Sequence, residues 1–161
     1  MILIGLGANL PSPAGEPKAT LAAALDALDE EGVRILAHSR LYRSAPVPPS
    51  SQPPYINAVA SLGTALDPRS LLAHLLTIEA RFGRTRDARN AARTLDLDLL
   101  DYDGAVSDAF DLALPHPRLH ERAFVLRPLL EIAPRWRHPV LGLSADVLLA
   151  SLPPGQDAAP L

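Results

Sequence analysis

Arg93-Thr94-Leu95-Asp96-Leu97-Asp98-Leu99-Leu100 alternates leucine with aspartate at period two. That is the pattern of a half-buried strand, with Leu95, Leu97 and Leu99 on one face and Asp96 and Asp98 on the other. Residues two apart on a strand lie roughly 7 Å apart at Cα, so the two carboxylates can converge on a shared pair of cations. Two divalent metals about 4 Å apart are a common device for phosphoryl chemistry. The plain alternative is a solvent-facing strand edge that carries acids for solubility. The cluster Arg84, Arg86, Arg89 and Arg93 just upstream favours the first reading, because guanidinium forks suit polyphosphate oxygens and carboxylates suit the hard cations that accompany them.

Working outward, the strand closes a series of alternating elements. Ile2 to Leu6 is an apolar run that leads through Gly5-Leu6-Gly7-Ala8-Asn9 into a turn. The Gly5, Gly7 pair lacks the third glycine and the Lys-Ser/Thr ending of a phosphate loop, and it is not read as one. Leucines 21, 25 and 28 predict a helix over 19–31 that stops at Gly32, and Val33 to Leu41 alternates as a second strand. A stretch holding Pro46, Pro48, Pro49, Pro53 and Pro54 reads as a long functional loop. Tyr55 to Leu66 is a third strand, and Asp67-Pro68 caps a second helix that Gly83 ends.

Beyond the aspartate strand, Asp103-Gly104 predicts a hairpin into a short strand around Val106, with one more edge strand at Leu112 to Leu114. Helices are expected from about Phe124 to Ile132 and, capped by Ser144, through Leu149. The order strand, helix, strand, strand, helix, strand is that of an α+β, ferredoxin-like (split βαβ) antiparallel sheet with helices packed on it, extended by C-terminal additions. Residues 1–152 are expected to form a single catalytic domain and 153–161 a disordered tail.

Composition narrows the function classes. The 161 residues are 48% hydrophobic and 20% charged, ordinary for a globular protein. A net charge of −3 argues against a general nucleic-acid binder. No apolar run approaches the roughly 20 residues of a membrane span, and the start Met1-Ile2-Leu3-Ile4-Gly5 has no basic flank, so a cytoplasmic protein is expected. Without cysteine, any metal must be held by oxygen or imidazole. Lys18 is the only lysine, a skew that reflects genome composition.

Seven motifs in order then carry a resemblance. They are Gly5 to Asn9, Tyr42-Arg43-Ser44-Ala45-Pro46, Gln52 to Asn57, Glu79 with Gly83-Arg84-Thr85-Arg86, Arg93 to Asp98, Pro115-His116, and Arg122-Ala123-Phe124. From residue 2 to about residue 135 the chain resembles the 6-hydroxymethyl-7,8-dihydropterin pyrophosphokinases of folate biosynthesis. That family binds ATP with two magnesium ions on a ferredoxin-like core. It moves the β,γ-pyrophosphoryl group to the pterin hydroxymethyl oxygen and leaves AMP.

The resemblance implies that Asp96 and Asp98 hold the two Mg2+ ions. It assigns Arg84, Arg93 and Arg122 to the triphosphate or the transferring group, His116 to an ATP phosphate, and Glu79 to support of the metal site from behind. Tyr55 and Phe124 would stack on the two faces of the pterin, Asn57 would bond its edge, and the main chain around Ser44, Ala45 and Val47 would complete the pocket. Physically, a flat heterocycle buries well between two aromatic rings, and a carboxamide offers donor and acceptor to an edge that has both. His38, His74, His120 and His138 receive no role.

Departures from the family pattern touch nucleotide binding and the closing of the arginine loop over the pterin. Asp87 to Ala92 stands where many members carry a tryptophan followed by Gly-Pro, Pro117 where an aromatic is frequent, Asp111 where some have an arginine, and Leu76 where a polar residue is usual. Arginines of the 84–93 segment are expected to close over the β- and γ-phosphates and exclude water. The expected partners are small molecules, ATP and the hydroxymethyldihydropterin, acting on a monomer. A metal-dependent glycosyltransferase would need a longer chain. An RNA-binding module would need exposed sheet aromatics, against a content of 4%.

Overall fold

The computed structural model describes residues 1–30, 32–46, 48–84 and 92–161. Its first seven elements follow the expected order with one strand added, β3: β1 (Ile2–Ala8), α1 (Pro17–Leu28), β2 (Val33–His38), β3 (Tyr42–Ser44), β4 (Tyr55–Thr64), α2 (Pro68–Arg81) and β5 (Asp96–Tyr102). After these come β6 (Ser107–Ala109), β7 (Leu112–Leu114), α3 (Ala123–Ile132), α4 (Ala145–Ala150) and β8 (Ala158–Pro160). The main sheet runs β5-β1-β4-β3-β8, with β2 also paired to the long β4. Every pairing in it is antiparallel.

Local chemistry sets the element boundaries. Asp67 accepts a bond from the Ser70 N–H at 2.8 Å, which satisfies one of the orphan amides of α2, and Pro68 supplies a pre-set φ at the first position. Helix α1 starts at Pro17 for the second of those reasons, two residues before the apolar periodicity begins. The predicted strand from Val33 to Leu41 is broken in two. Ser39 Oγ accepts from the Val59 N–H at 3.0 Å and the Ser39 N–H donates to the Val59 carbonyl at 2.9 Å, and β2 and β3 lie on either side of that junction along β4.

Alternation divides the sheet into two faces. Ile4, Leu6, Leu97 and Leu99 pack with Leu21, Leu28, Leu71, Leu75 and Ile78 of α1 and α2. Leu3, Val59 and Leu100 pack on the other face with Val125, Leu126 and Leu129 of α3 and with α4. Helices therefore cover parts of both faces, and Asp96 and Asp98 belong to the α3 side, away from the leucines that alternate with them.

Two further expectations are corrected. Asp103 and Gly104 do form a turn, with φ of 52° and 75°, but it does not fold a strand back on β5. Instead β6 pairs with β7 in a separate two-stranded ribbon, while the Asp103 N–H bonds the Met1 carbonyl at 2.9 Å. The segment expected as a disordered tail contributes β8, paired with β3 as Tyr42↔Pro160, Arg43↔Ala159 and Ser44↔Ala158. The edge of β3 left open by β4 offers unpaired backbone groups, and this segment fills it.

Candidate active site

The floor of the site is laid by two glycines. In β1, Gly5 stands opposite Asp98 and Gly7 opposite Asp96 on one side, with Gly7 opposite Asn57 on the other. A Cβ at Gly7 would come within 3.0 Å of the Asn57 carboxamide oxygen, so only glycine lets that side chain lie over the strand. Neither glycine cradles phosphate through a loop. Two glycines at i and i+2 in an otherwise apolar strand are the available signal for a recessed floor.

Over this floor one cavity is lined by Ser44 and Ala45 at the end of β3, Tyr55 and Asn57 of β4, Asp96 and Asp98 of β5, Arg93 just before it, and Arg122 and Phe124 at the start of α3. The Asn57 amide donates to Ser44 Oγ at 2.8 Å, tying β3 to β4 beneath the pocket. The Arg122 guanidinium lies 5.4 Å from the centre of the Phe124 ring, a cation–π contact between the charged and the aromatic parts of the wall.

Electrostatics concentrate on the β5 side. Arg84 donates to both Glu79 and Asp96, and Glu79, buried on α2, also accepts from the Leu97 N–H at 2.7 Å. Burial raises the Glu79 carboxyl, and the Leu97 N–H and Arg84 oppose it. Among the described residues Asp98 has no such close partner. Arg122 and His116 approach its carboxylate only to 3.8 and 3.9 Å, and burial followed by repulsion from Asp96 pushes it up to about 7. Burial and Arg122 push His116 down to about 4. Its Nδ1 accepts from the Arg118 N–H at 3.1 Å, which leaves the proton of the neutral ring on Nε2, facing Asp98.

Most residues named from the sequence are thus brought together. Glu79 and Arg84 stand behind Asp96, and His116 stands beside Asp98 outside the cavity lining. Val47 and residues 85–91, which include Arg86 and Arg89 and most of the 84–93 segment expected to close over the phosphates, lie outside the described residues. Asp111 pairs with Arg69.

By its sequence motif Asn9 is a turn residue, and the structure gives it more to do. Its oxygen accepts from the Arg93 N–H at 2.8 Å, its own N–H donates to the Arg93 carbonyl at 3.0 Å, and its amide donates to Gln52 and to the Pro53 carbonyl at 3.1 Å each. Asn9 therefore joins the base of the proline-rich loop to Arg93.

No group of three or more His, Cys, Asp or Glu among the described residues could hold a metal by itself. Two carboxylates with the remaining positions left to water and phosphate oxygens are the donor set that magnesium commonly accepts. The raised Asp98 carboxyl fits this, since it is a half-buried acid whose nearest cations among the described residues stand 3.8 Å or more away.

Comparisons with known proteins identify the family. The family model described as 7,8-dihydro-6-hydroxymethylpterin-pyrophosphokinase (HPPK) matches residues 3–134. The 2-amino-4-hydroxy-6-hydroxymethyldihydropteridine pyrophosphokinase of Pseudomonas aeruginosa is 42% identical over 153 residues, covering 94% of this chain and 91% of that protein. The Haemophilus influenzae protein of the same name is 42% identical over 131 residues, 81% of this chain and 79% of that one. Among solved structures, Plasmodium falciparum HPPK-DHPS superposes with a TM-score of 0.69 at 14% identity, over 92% of this chain and 43% of that longer chain, which speaks for the fold. The chain belongs to the 6-hydroxymethyl-7,8-dihydropterin pyrophosphokinase family.

Proposed function

We propose that the cavity between β3, β4, β5 and α3 is where this chain carries out the reaction of its family, with the pterin on the Tyr55 side and the triphosphate on the Asp96 side. The reaction is ATP-dependent pyrophosphoryl transfer to the hydroxymethyl group of 6-hydroxymethyl-7,8-dihydropterin, which yields the pterin diphosphate and AMP in folate biosynthesis. The observation that carries the site assignment is that Asp96 and Asp98 share one cavity with Tyr55, Asn57 and Phe124. A carboxylate pair on one wall and an aromatic, carboxamide-lined wall opposite are what a metal–triphosphate and a flat heterocycle require.

Tyr55 and Phe124 would hold the pterin rings, and Asn57 with the main chain at Ser44, Ala45 and Val47 would bond the edge. That fixes the hydroxymethyl oxygen toward β5, where orientation alone removes much of the entropic barrier. Arg93 and Arg122 would bind oxygens of the β- and γ-phosphates, and the Nε2–H of His116 faces the same region. Arg84, fixed between Glu79 and Asp96, would hold the Asp96 carboxylate in place and add positive charge at its back. Two magnesium ions held by Asp96 and Asp98 would supply the charge neutralisation that an in-line transfer to a neutral alcohol needs.

No helix of the described residues is long and apolar enough to cross a membrane. The reading places the enzyme in the cytoplasm, acting on small molecules as a monomer. The test is product identity. With magnesium, ATP and the reduced pterin, chromatography should show AMP and pterin diphosphate in equal amounts. ADP with a pterin monophosphate would mean that a single phosphoryl group moves, and would exclude the reading.

A further inference from the structure

Helix α3 carries Phe124 one position past its start and Arg122 at its N-cap, yet it does not cap itself. Arginine at that position has no side-chain oxygen to accept from the first-turn amides, and no side-chain cap bond is formed there. The Ala123 N–H is satisfied from 33 residues away, by Gln156 Oε1 at 3.0 Å. The other end of the same carboxamide donates to the Glu121 carbonyl at 2.8 Å. Gln156 thus brackets Arg122, bonding the backbone on both sides of it.

The same segment is anchored a second time. Two residues on, Ala158 is buried and pairs with Ser44, and the Leu161 N–H donates to the Leu41 carbonyl at 3.0 Å. One short stretch of chain therefore grips two walls of the cavity: the β3 end that leads into Ala45, and the α3 start that presents Arg122 and Phe124. These residues lie beyond the stretch that the family model matches.

We infer that the C-terminal segment is a working part of the pterin pocket, and that Gln156 is a positioning residue that sets Phe124 and Arg122 through a long-range cap on α3. The cap leaves the arginine side chain at the N-cap position available to approach Asp98, while the bond to Glu121 fixes the turn that leads into it. This rests on the reading of Phe124 as one face of the pterin clamp.

The test compares Gln156→Ala, Gln156→Met, Gln156→Glu and Phe124→Ala in the full chain. The pterin dissociation constant is measured with a non-hydrolysable ATP analogue present, both Michaelis constants are determined, and exchange of the Ala123 amide is followed by NMR. Gln156→Ala and Gln156→Met should both weaken the pterin about tenfold, expose the Ala123 amide, and change the ATP Michaelis constant by no more than about twofold. Gln156→Glu keeps the acceptor for that amide but loses the donor to the Glu121 carbonyl, and should restore only part of the affinity. Unchanged pterin binding in the Ala and Met variants, or equal losses for both substrates, would overturn the inference. If Phe124→Ala weakens the pterin and the Gln156 variants do not, this inference fails alone. If Phe124→Ala leaves pterin binding intact, the clamp itself is wrong.

Discussion

The two walls of the cavity are completed to different degrees. On the β3–β4 side the polar groups have partners within the chain: the Asn57 amide is bonded to Ser44, Asn9 to Gln52 and Pro53, and Ser39 to the backbone of β4. On the β5 side, among the described residues, three acids, Glu79, Asp96 and Asp98, face one arginine that serves two of them, and the third has cations no nearer than 3.8 Å. The first wall is finished by folding. The second holds a half-buried acid with a raised carboxyl, where a ligand is expected to bring the missing charge.

That contrast ranks the consequences of mutation. Asp96→Asn or Asp98→Asn should lower turnover at least about a hundredfold, on the scale of several kcal/mol for lost charge stabilisation in the transition state, with the fold intact. Steady-state assays at saturating magnesium check this. Arg93→Ala is expected to reduce the transfer rate by about ten- to a hundredfold and to weaken ATP binding far less, as for a group that engages fully only in the transition state. Single-turnover kinetics beside equilibrium titration separate the two effects. On the other wall, Tyr55→Ala should raise the pterin Michaelis constant about tenfold with ATP affinity nearly unchanged, since each ring contact is worth about 0.5 to 1.5 kcal/mol beyond its buried area.

The smallest effect is on stability, and its sign is specific. A carboxyl pushed from 3.8 up to about 7 holds a proton in the folded state that the unfolded chain has already lost. Stability from this group therefore falls as pH rises between those values, and the penalty is complete above about 7. Metal-free Asp98→Asn should melt higher than the metal-free parent protein at pH about 8, with the difference vanishing near pH about 4. His116, pushed down to about 4, works in the opposite direction below its usual value, but both proteins carry it and the comparison removes it. Calorimetric melts in chelator at several pH values would show this convergence or its absence.

The fold is legible wherever local and tertiary preferences agree. The alternation through Asp96 and Asp98, the Asp67-Pro68 cap and the leucine spacing of α2 each commit a segment without help from its neighbours. The misses are segments whose structure is decided elsewhere in the chain. Pro153, Pro154 and Gly155 argue against a strand, and β8 exists because β3 has an open edge and α3 lacks a cap. The Asp103-Gly104 turn forms as its residues dictate, but β6 beyond it takes β7 as its partner, a choice that no local signal in the turn carries.

In the site, the acidic pair, the aromatic pair and the arginines announce themselves by residue type and spacing. Gly5, Gly7, Asn9 and Gln156 do not. Their roles come from close approach and backbone bonding across 33 to 84 residues, which no local pattern records.

The division of one cavity into a phosphate wall and a pterin wall is tested most directly by calorimetric titration of magnesium with a non-hydrolysable ATP analogue into the parent protein, Asp98→Asn and Phe124→Ala. Asp98→Asn should bind the nucleotide at least about tenfold more weakly, and Phe124→Ala should bind it as the parent does. Equal loss in the two variants, or parent-like binding by Asp98→Asn, would contradict the account.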